Sequence, residues 1–212
     1  MSDARPAHPA ARFSPAAERN KQPIGQALLG LLPPQGLALE IASGSGQHVA
    51  HFAALLPGWQ WLASDPEASA LASIPHWWPQ GPAPLQLDVS QETWPLPASH
   101  AQVDAIFCAN MLHISGPDSA RGLMRGAARH VRAGGHLLVY GPFIVEGQPT
   151  APSNLAFDAD LRARNPAWGL RSLGHIESIA AEQDLQLVQQ LGMPANNLLL
   201  VFQRRPVPGA PI

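Results

Sequence analysis

Leu39-Glu40-Ile41-Ala42-Ser43-Gly44-Ser45-Gly46 reads as the end of a short buried strand, an acidic residue within it, and a turn with two glycines. The run that follows, Gln47-His48-Val49-Ala50-His51-Phe52-Ala53-Ala54-Leu55-Leu56, carries its apolar residues at helical spacing. A strand that breaks on glycine and opens into a helix exposes unpaired backbone N–H groups at a positive dipole end. Glycine also lets a ligand approach the backbone, since no Cβ stands in the way. This is a setting for a nucleotide-like ligand. A dinucleotide fingerprint needs a small third residue three places after Gly46. Val49 stands there, which disfavours an NAD-dependent oxidoreductase.

Length and composition narrow the class. A chain of 212 residues fits one domain with a full core. The hydrophobic fraction of 46% and charged fraction of 13% are those of a soluble globular protein, and the net charge of −2 predicts no nucleic-acid partner and no membrane surface. Cys108 is the one cysteine, so no internal disulfide and no cysteine-based metal cluster is expected. No metal site is expected: His48 and His51 are three apart on a predicted helix but lack a third ligand. With no apolar leader and no spanning segment, the expected location is cytoplasmic.

Working outward, residues 1–12 read as a disordered tail, 13–205 as a single domain and 206–212 as a C-terminal tail. Ser14-Pro15-Ala16-Ala17-Glu18 has a helix-start pattern, and Pro33-Pro34 stops that helix. Strands are predicted at Leu37–Ala42, Trp59–Ser64, Leu85–Leu87, Val103–Ala109 and His136–Tyr140, with helices between them. One of these helices is expected to stop near Ile74, and another to run to Arg132 before Gly134-Gly135 breaks it. Alternation of this kind marks a parallel sheet with helices on both faces. Residues 141–170 form a proline-punctuated insert, read as a lid over the substrate side. The chain closes with Leu185–Leu191 and Leu198–Gln203, joined so briefly that they must pair antiparallel. The expected architecture is a Rossmann-like class I α/β fold with seven strands ordered 3-2-1-4-5-7-6.

In such sheets ligands bind beyond the carboxyl ends of the strands. The polar residues there are Glu40, Gly44, Ser45 and Gly46 after the first strand, Asp65 after the second, Asp88 and Val89 after the third, and Asn110 and His113 after the fourth. Glu40 would attract an ammonium, Asp65 would accept from a ribose diol, Asp88 from an adenine amino group, and Val89 would cover the ring. The order acidic-x-x-x-Gly-x-Gly, then Asp, Asp and Asn, matches the motifs of class I S-adenosylmethionine (SAM) methyltransferases.

Five blocks extend that likeness. Glu18–Ile24, Glu40–His48, Tyr140–Phe143, Arg164–Leu170 and Met193–Asn197 resemble one uncharacterised class I SAM-dependent methyltransferase-like family, domain of unknown function 938, of the methyltransferase-like protein 26 type. The resemblance covers about Phe13 to Arg204. It implies SAM as cofactor, S-adenosylhomocysteine (SAH) as product and methyl transfer to a small-molecule acceptor, without naming that acceptor. It adds Asn20, Lys21, Ala42 and His48 to the cofactor set, with Tyr140 beside His113 as catalytic candidates. Asn154, Asp158, Arg164, Asn165 and Trp168 are the implied substrate-pocket residues. A non-catalytic SAM- or SAH-binding sensor or scaffold is the alternative reading.

Overall fold

The computed structural model describes residues 8–205. Helix α1 (Pro15–Leu31) is capped by the Ser14 hydroxyl, which accepts from the Ala17 N–H. The chain then alternates: β1 (Gly36–Ile41), α2 (Gln47–Leu55), β2 (Trp59–Asp65), α3 (Ala68–Trp77), β3 (Leu85–Gln86), β4 (Val103–Ala109), α4 (Pro117–His130) and β5 (Val131–Gly141). The insert holds β6 (Phe143–Ile144) and α5 (Pro152–Arg164), with β7 (Arg171–Ser172) following it. Helix α6 (Leu173–Ala181) precedes β8 (Leu185–Met193) and β9 (Asn197–Arg204). The seven-stranded sheet runs β3-β2-β1-β4-β5-β9-β8, which is the expected 3-2-1-4-5-7-6 once its members alone are numbered. β6 and β7 form a separate parallel pair.

Two compact units divide the chain: residues up to Asp88 with Trp94–Phe107, and Val89–Thr93 with the residues from Cys108 onward. In the first unit β1 pairs parallel with β2, and β2 with β3. Its core is built on Phe52, whose ring lies 5.1 Å from that of Phe107 and 5.5 Å from that of Trp61. Ile24 and Leu28 from α1 and Leu39 from β1 are fully buried beside this cluster's unit. In the second unit β9 pairs antiparallel with β5 and β8, as the short connection requires. Leu123, Met124, Leu138, Ile176 and Phe202 are fully buried there.

Three boundaries depart from the sequence reading. α3 continues past Ile74 to Trp77, because the Trp78 N–H reaches the Ile74 carbonyl and closes the turn around Pro75. α4 ends at His130, and the extended segment before His136 belongs to β5. Side chains of β9 hold that segment: Gln203 Nε2 donates to the Gly134 carbonyl at 3.1 Å and Arg204 donates to the Val131 carbonyl. The expected N-terminal tail overlaps the described residues at 8–12, where Ala11 is buried and the Arg12 N–H donates to Ser73 Oγ at 2.8 Å. Residues 1–7 and 206–212 lie outside the described residues.

Candidate functional site

The turn between β1 and α2 uses its two glycines for different reasons. Both have positive φ, 57° at Gly44 and 93° at Gly46. A Cβ on Gly46 would fall 2.8 Å from the Ile74 backbone, so packing of α3 demands that glycine. A Cβ on Gly44 would meet nothing closer than the Ala42 carbonyl at 4.0 Å, so its face is open to a ligand. Ala42, half-buried, enters the turn in the left-handed region at φ 54°, a conformation that costs a non-glycine residue about 1 kcal/mol or more.

Asp65 ties this turn to the end of β2. One carboxylate oxygen accepts from the Gly44 N–H at 2.8 Å and the other from the Glu67 N–H at 2.9 Å. Burial raises its pKa, and these two backbone bonds oppose the rise. Each oxygen keeps a further lone pair for a hydroxyl donor. Asp88 is exposed beyond β3.

Glu40 is 1% exposed, and its Oε2 has no hydrogen-bond partner. Burial drives its pKa up to about 8. An unpartnered buried carboxylate oxygen is costly unless something pairs with it. At pH 7 burial therefore keeps this carboxyl largely protonated, and a ligand ammonium beside it would favour the ionised form. His48 Nδ1 lies 3.9 Å from Glu40 Oε1, and its Nε2 is 2.6 Å from Asn20 Oδ1 on α1. Burial, and then the charges of His51 and Lys21, lower the His48 pKa to about 3, so this ring is neutral at pH 7. Lys21 is buried with its Nζ 2.8 Å from Glu18.

Gln47, absent from the sequence-derived set, joins these elements. Its amide donates to Glu18 at 2.7 Å, and its carbonyl oxygen accepts from the Ser14 N–H at 2.7 Å and Ser45 Oγ at 2.9 Å. It occupies the first position of α2, where its spacing marked it only as polar. The first unit thus brings together Asn20, Lys21, Glu40, Ala42, Gly44, Ser45, Gly46, His48 and Asp65 around one turn.

In the second unit Val89 is buried, and Asn110 ends β4 at φ 56°, with its N–H donating to the Tyr140 carbonyl at 2.9 Å. Tyr140 is buried in β5. His113 sits on a 3-10 turn over Leu112–Ile114, 6% exposed. Burial, then the charge of Arg171, lowers its pKa to about 4, which keeps the ring neutral at pH 7. The Phe157 ring meets it edge-on, 5.4 Å between centroids.

Arg171 is another residue the sequence did not single out. Its guanidinium donates to the carbonyls of Leu112 at 2.9 Å, Ser115 at 2.7 Å and Ala167 at 3.1 Å, clamping the turn that bears His113. The Gly169 N–H adds a bond to the His113 carbonyl at 3.0 Å. No local pattern signals the bonds to Leu112 and Ser115 or the bond from Gly169 to His113, which join residues more than fifty positions apart.

The expected pocket residues separate into groups. Asp158 accepts from Arg162 and, at 2.7 Å, from the Leu170 N–H; burial opposes its ionisation, but these bonds and the nearby arginines outweigh it and lower its pKa. Asn154 is buried and donates to the Asn196 carbonyl at 3.1 Å. Asn165 Oδ1 accepts from the Ala167 N–H at 3.0 Å in a turn, and the exposed Arg164 lies 5.3 Å over the Trp168 ring. Arg164, Asn165 and Trp168 are therefore held in a local turn-and-stack arrangement. Among the described residues no group of three or more His, Cys, Asp or Glu is placed to hold a metal, and no helix is long and apolar enough to cross a membrane.

A family model described as "Protein of unknown function (DUF938)" matches residues 11–204. The chain belongs to the DUF938 family. Solved structures similar to this DUF938 protein include CalO1, a methyltransferase in calicheamicin biosynthesis, in its SAH-bound form, at 19% identity and a TM-score of 0.71 over 91% of this chain and 54% of that one. Human N-acetylserotonin methyltransferase in complex with SAM matches at 14% identity and 0.72, over 90% and 55%. The mitomycin 7-O-methyltransferase MmcR matches at 19% and 0.70, over 88% and 54%. The DUF938 chain spans about half the length of these proteins, and at such identities the likeness establishes the Rossmann-like methyltransferase fold.

Proposed function

We propose that this DUF938 protein is a cytoplasmic SAM-dependent methyltransferase acting on a small-molecule acceptor. The observation that carries the reading is the unpartnered buried Glu40 oxygen, four residues before the open face of Gly44, in a fold shared with methyltransferases solved with SAH or SAM.

SAM would bring an activated methyl group on a sulfonium centre, so the protein's work is holding, orienting and excluding water. Glu40 holds the ammonium, and the Ser45 N–H faces the carboxylate, since the Ser43, Gly44 and Gly46 amides are bonded to Ser64, Asp65 and Ser43. Asp65 accepts from the ribose hydroxyls, Asp88 from the adenine amino group, and Val89 covers the ring. Asn20, Lys21 and His48 brace this frame, and Asn110 completes the cofactor set. His113, neutral at pH 7, takes the proton that an attacking nucleophile gives up or orients that nucleophile, with Tyr140 as the other candidate. Asn154, Asp158, Arg164, Asn165 and Trp168 are proposed for the acceptor side.

Calorimetry with SAH, followed by labelled SAM and a metabolite extract, tests this. Binding with transfer of label is expected. Absence of SAH binding sinks the reading, and tight binding without turnover on any fraction converts the protein to a sensor.

A further inference from the structure

The proposed function leaves the methyl acceptor open, and the second unit bears on its chemistry. Among the described residues neither the Asn110 amide nor the His113 ring makes a side-chain hydrogen bond, although His113 is 94% buried by its 6% exposure. Both lie over the end of β5, where Gly141 lacks a side chain. A Cβ at Gly141 would sit 3.6 Å from His113 Nδ1 and 3.9 Å from Asn110 Oδ1. Two unpaired polar atoms thus converge on a spot that one missing methyl group keeps clear. Asn110 is half-buried and neither side chain is among the fully buried atoms without a partner, so both stay within reach of a ligand, and each hydrogen bond made to them is worth about 0.5–1.5 kcal/mol.

The surrounding charges select the ligand's class. Arg171 commits its guanidinium to three carbonyls, and both oxygens of Asp158 are taken by Arg162 and the Leu170 N–H. Glu146 is engaged by Ser172 and by the Gly174 N–H. Arg171 keeps its positive charge beside His113, but its three carbonyl partners occupy Nε and Nη2 of its guanidinium, so the direct partners offered to a ligand are the uncharged Asn110 and His113 side chains. Asn110 presents its Oδ1 to this spot, an acceptor that an O–H can donate to and a carboxylate, having no proton, cannot. A neutral imidazole presents one acceptor and one donor, and a hydroxyl can answer either. Phe157, edge-on to His113 and 37% exposed, offers an apolar ring to a flat neighbour.

We propose that Asn110, His113 and Gly141 form the subsite that receives the hydroxyl of a neutral, phenol-like methyl acceptor. The proposal rests on the methyltransferase reading for its purpose, but the subsite is testable without cofactor. The probe is phenol, titrated into the full-length protein while the His113 ring signals are followed by NMR, assigned by their loss in His113→Gln. Phenol should shift those signals saturably in the millimolar range. Anisole, which lacks the O–H, should bind at least about fivefold more weakly, and benzoate should bind more weakly still. Gly141→Ala should abolish the shift, since its methyl occupies the spot at ordinary contact distances and meets no backbone closely. Asn110→Gly, which accepts the positive φ readily, should weaken phenol several-fold and covers the case in which the alanine variant fails to fold. An unmoved His113, equal affinity for phenol and anisole, or undiminished binding in either folded variant overturns the proposal. SAH calorimetry on the same samples separates the two claims: loss of SAH binding with phenol recognition intact removes the methyltransferase reading and leaves the subsite.

Discussion

The turns after β1 and β4 begin alike and are completed in opposite ways. Each leaves its strand on a non-glycine residue in the left-handed region, Ala42 at φ 54° and Asn110 at φ 56°. In the first turn the polar groups are woven together: Gly44 to Asp65, Ser45 to Gln47, Gln47 to Glu18, and Ser64 Oγ to the Glu40 carbonyl at 2.7 Å. One carboxylate oxygen, Glu40 Oε2, is left over. In the second turn the backbone is clamped by Arg171, but the Asn110 and His113 side chains stay unpaired. A frame that is paired within itself keeps its shape before the ligand arrives, which lowers the ordering cost of binding. A turn with rigid backbone and unpaired side chains instead leaves its hydrogen bonds for the ligand to complete.

The sharpest way to break this contrast lies within the first turn. Gly46→Ala should destabilise the fold by about 2–4 kcal/mol, through strain and the clash with Ile74. Gly44→Ala should cost only about 1 kcal/mol, from its positive φ, while obstructing the ligand face. Thermal melts read the first effect and SAH calorimetry the second; equal melting points for the two variants would erase the distinction drawn between these glycines.

Glu40→Gln should weaken SAH by roughly 10- to 100-fold, the usual loss on removing one partner of a charge-assisted bond. It should also change the pH response. Because the folded Glu40 pKa is raised from 4.5 to about 8, its contribution to stability is full below 4.5 and is lost as pH rises through about 8. Denaturation series at several pH values should show this alkaline loss in the parent protein and not in the Gln variant.

Arg171→Gln should cost about 1–2 kcal/mol by freeing the Leu112 and Ser115 carbonyls. It should also move the His113 pKa upward from about 4, because the neighbouring positive charge is gone. Arg171→Lys keeps the charge, so an NMR titration should find the His113 pKa low even where the planar clamp is lost. On the acid side His113 and His48 act together. Their folded pKa values, about 4 and about 3, lie below 6.5, so their contribution is present above pH 6.5 and is lost as pH falls through those values. Acid titration of stability should therefore steepen below pH 6.5, and His48→Gln should flatten part of it.

The smallest effect is expected at the exposed Arg164–Trp168 stack. Arg164→Ala should change stability by less than about 1 kcal/mol and leave SAH affinity unchanged. A large loss of SAH affinity there would move this residue from the proposed acceptor side to the cofactor set.

How legible each region was follows from the same contrast. The glycine turn, the carboxylates at the ends of β1 and β2, and the closing antiparallel pair each follow from a few adjacent residues. Their signals are local: a broken hydrophobic run, a glycine spacing, a connection too short for a crossover. Gln47 and Arg171 escaped because their importance lies in partners elsewhere, such as Glu18 and Ser14 for the one and Leu112 and Ser115 for the other. Asn165 and Trp168 are prominent in the sequence, yet the fold holds them in a turn and a stack. Pro75 did not end α3, because the bond from Trp78 to Ile74 spans it.

By itself, the sequence determined the alternation of strands and helices, the class of sheet and the two-glycine turn between β1 and α2. These depend on backbone geometry and on periodicity over a few residues. Only the tertiary structure decided which of two adjacent glycines faces open space, which buried carboxylate oxygen stays unpaired, and which arginine clamps the turn of His113. Those outcomes depend on desolvation and on contacts between residues far apart in the chain, and no local pattern encodes either.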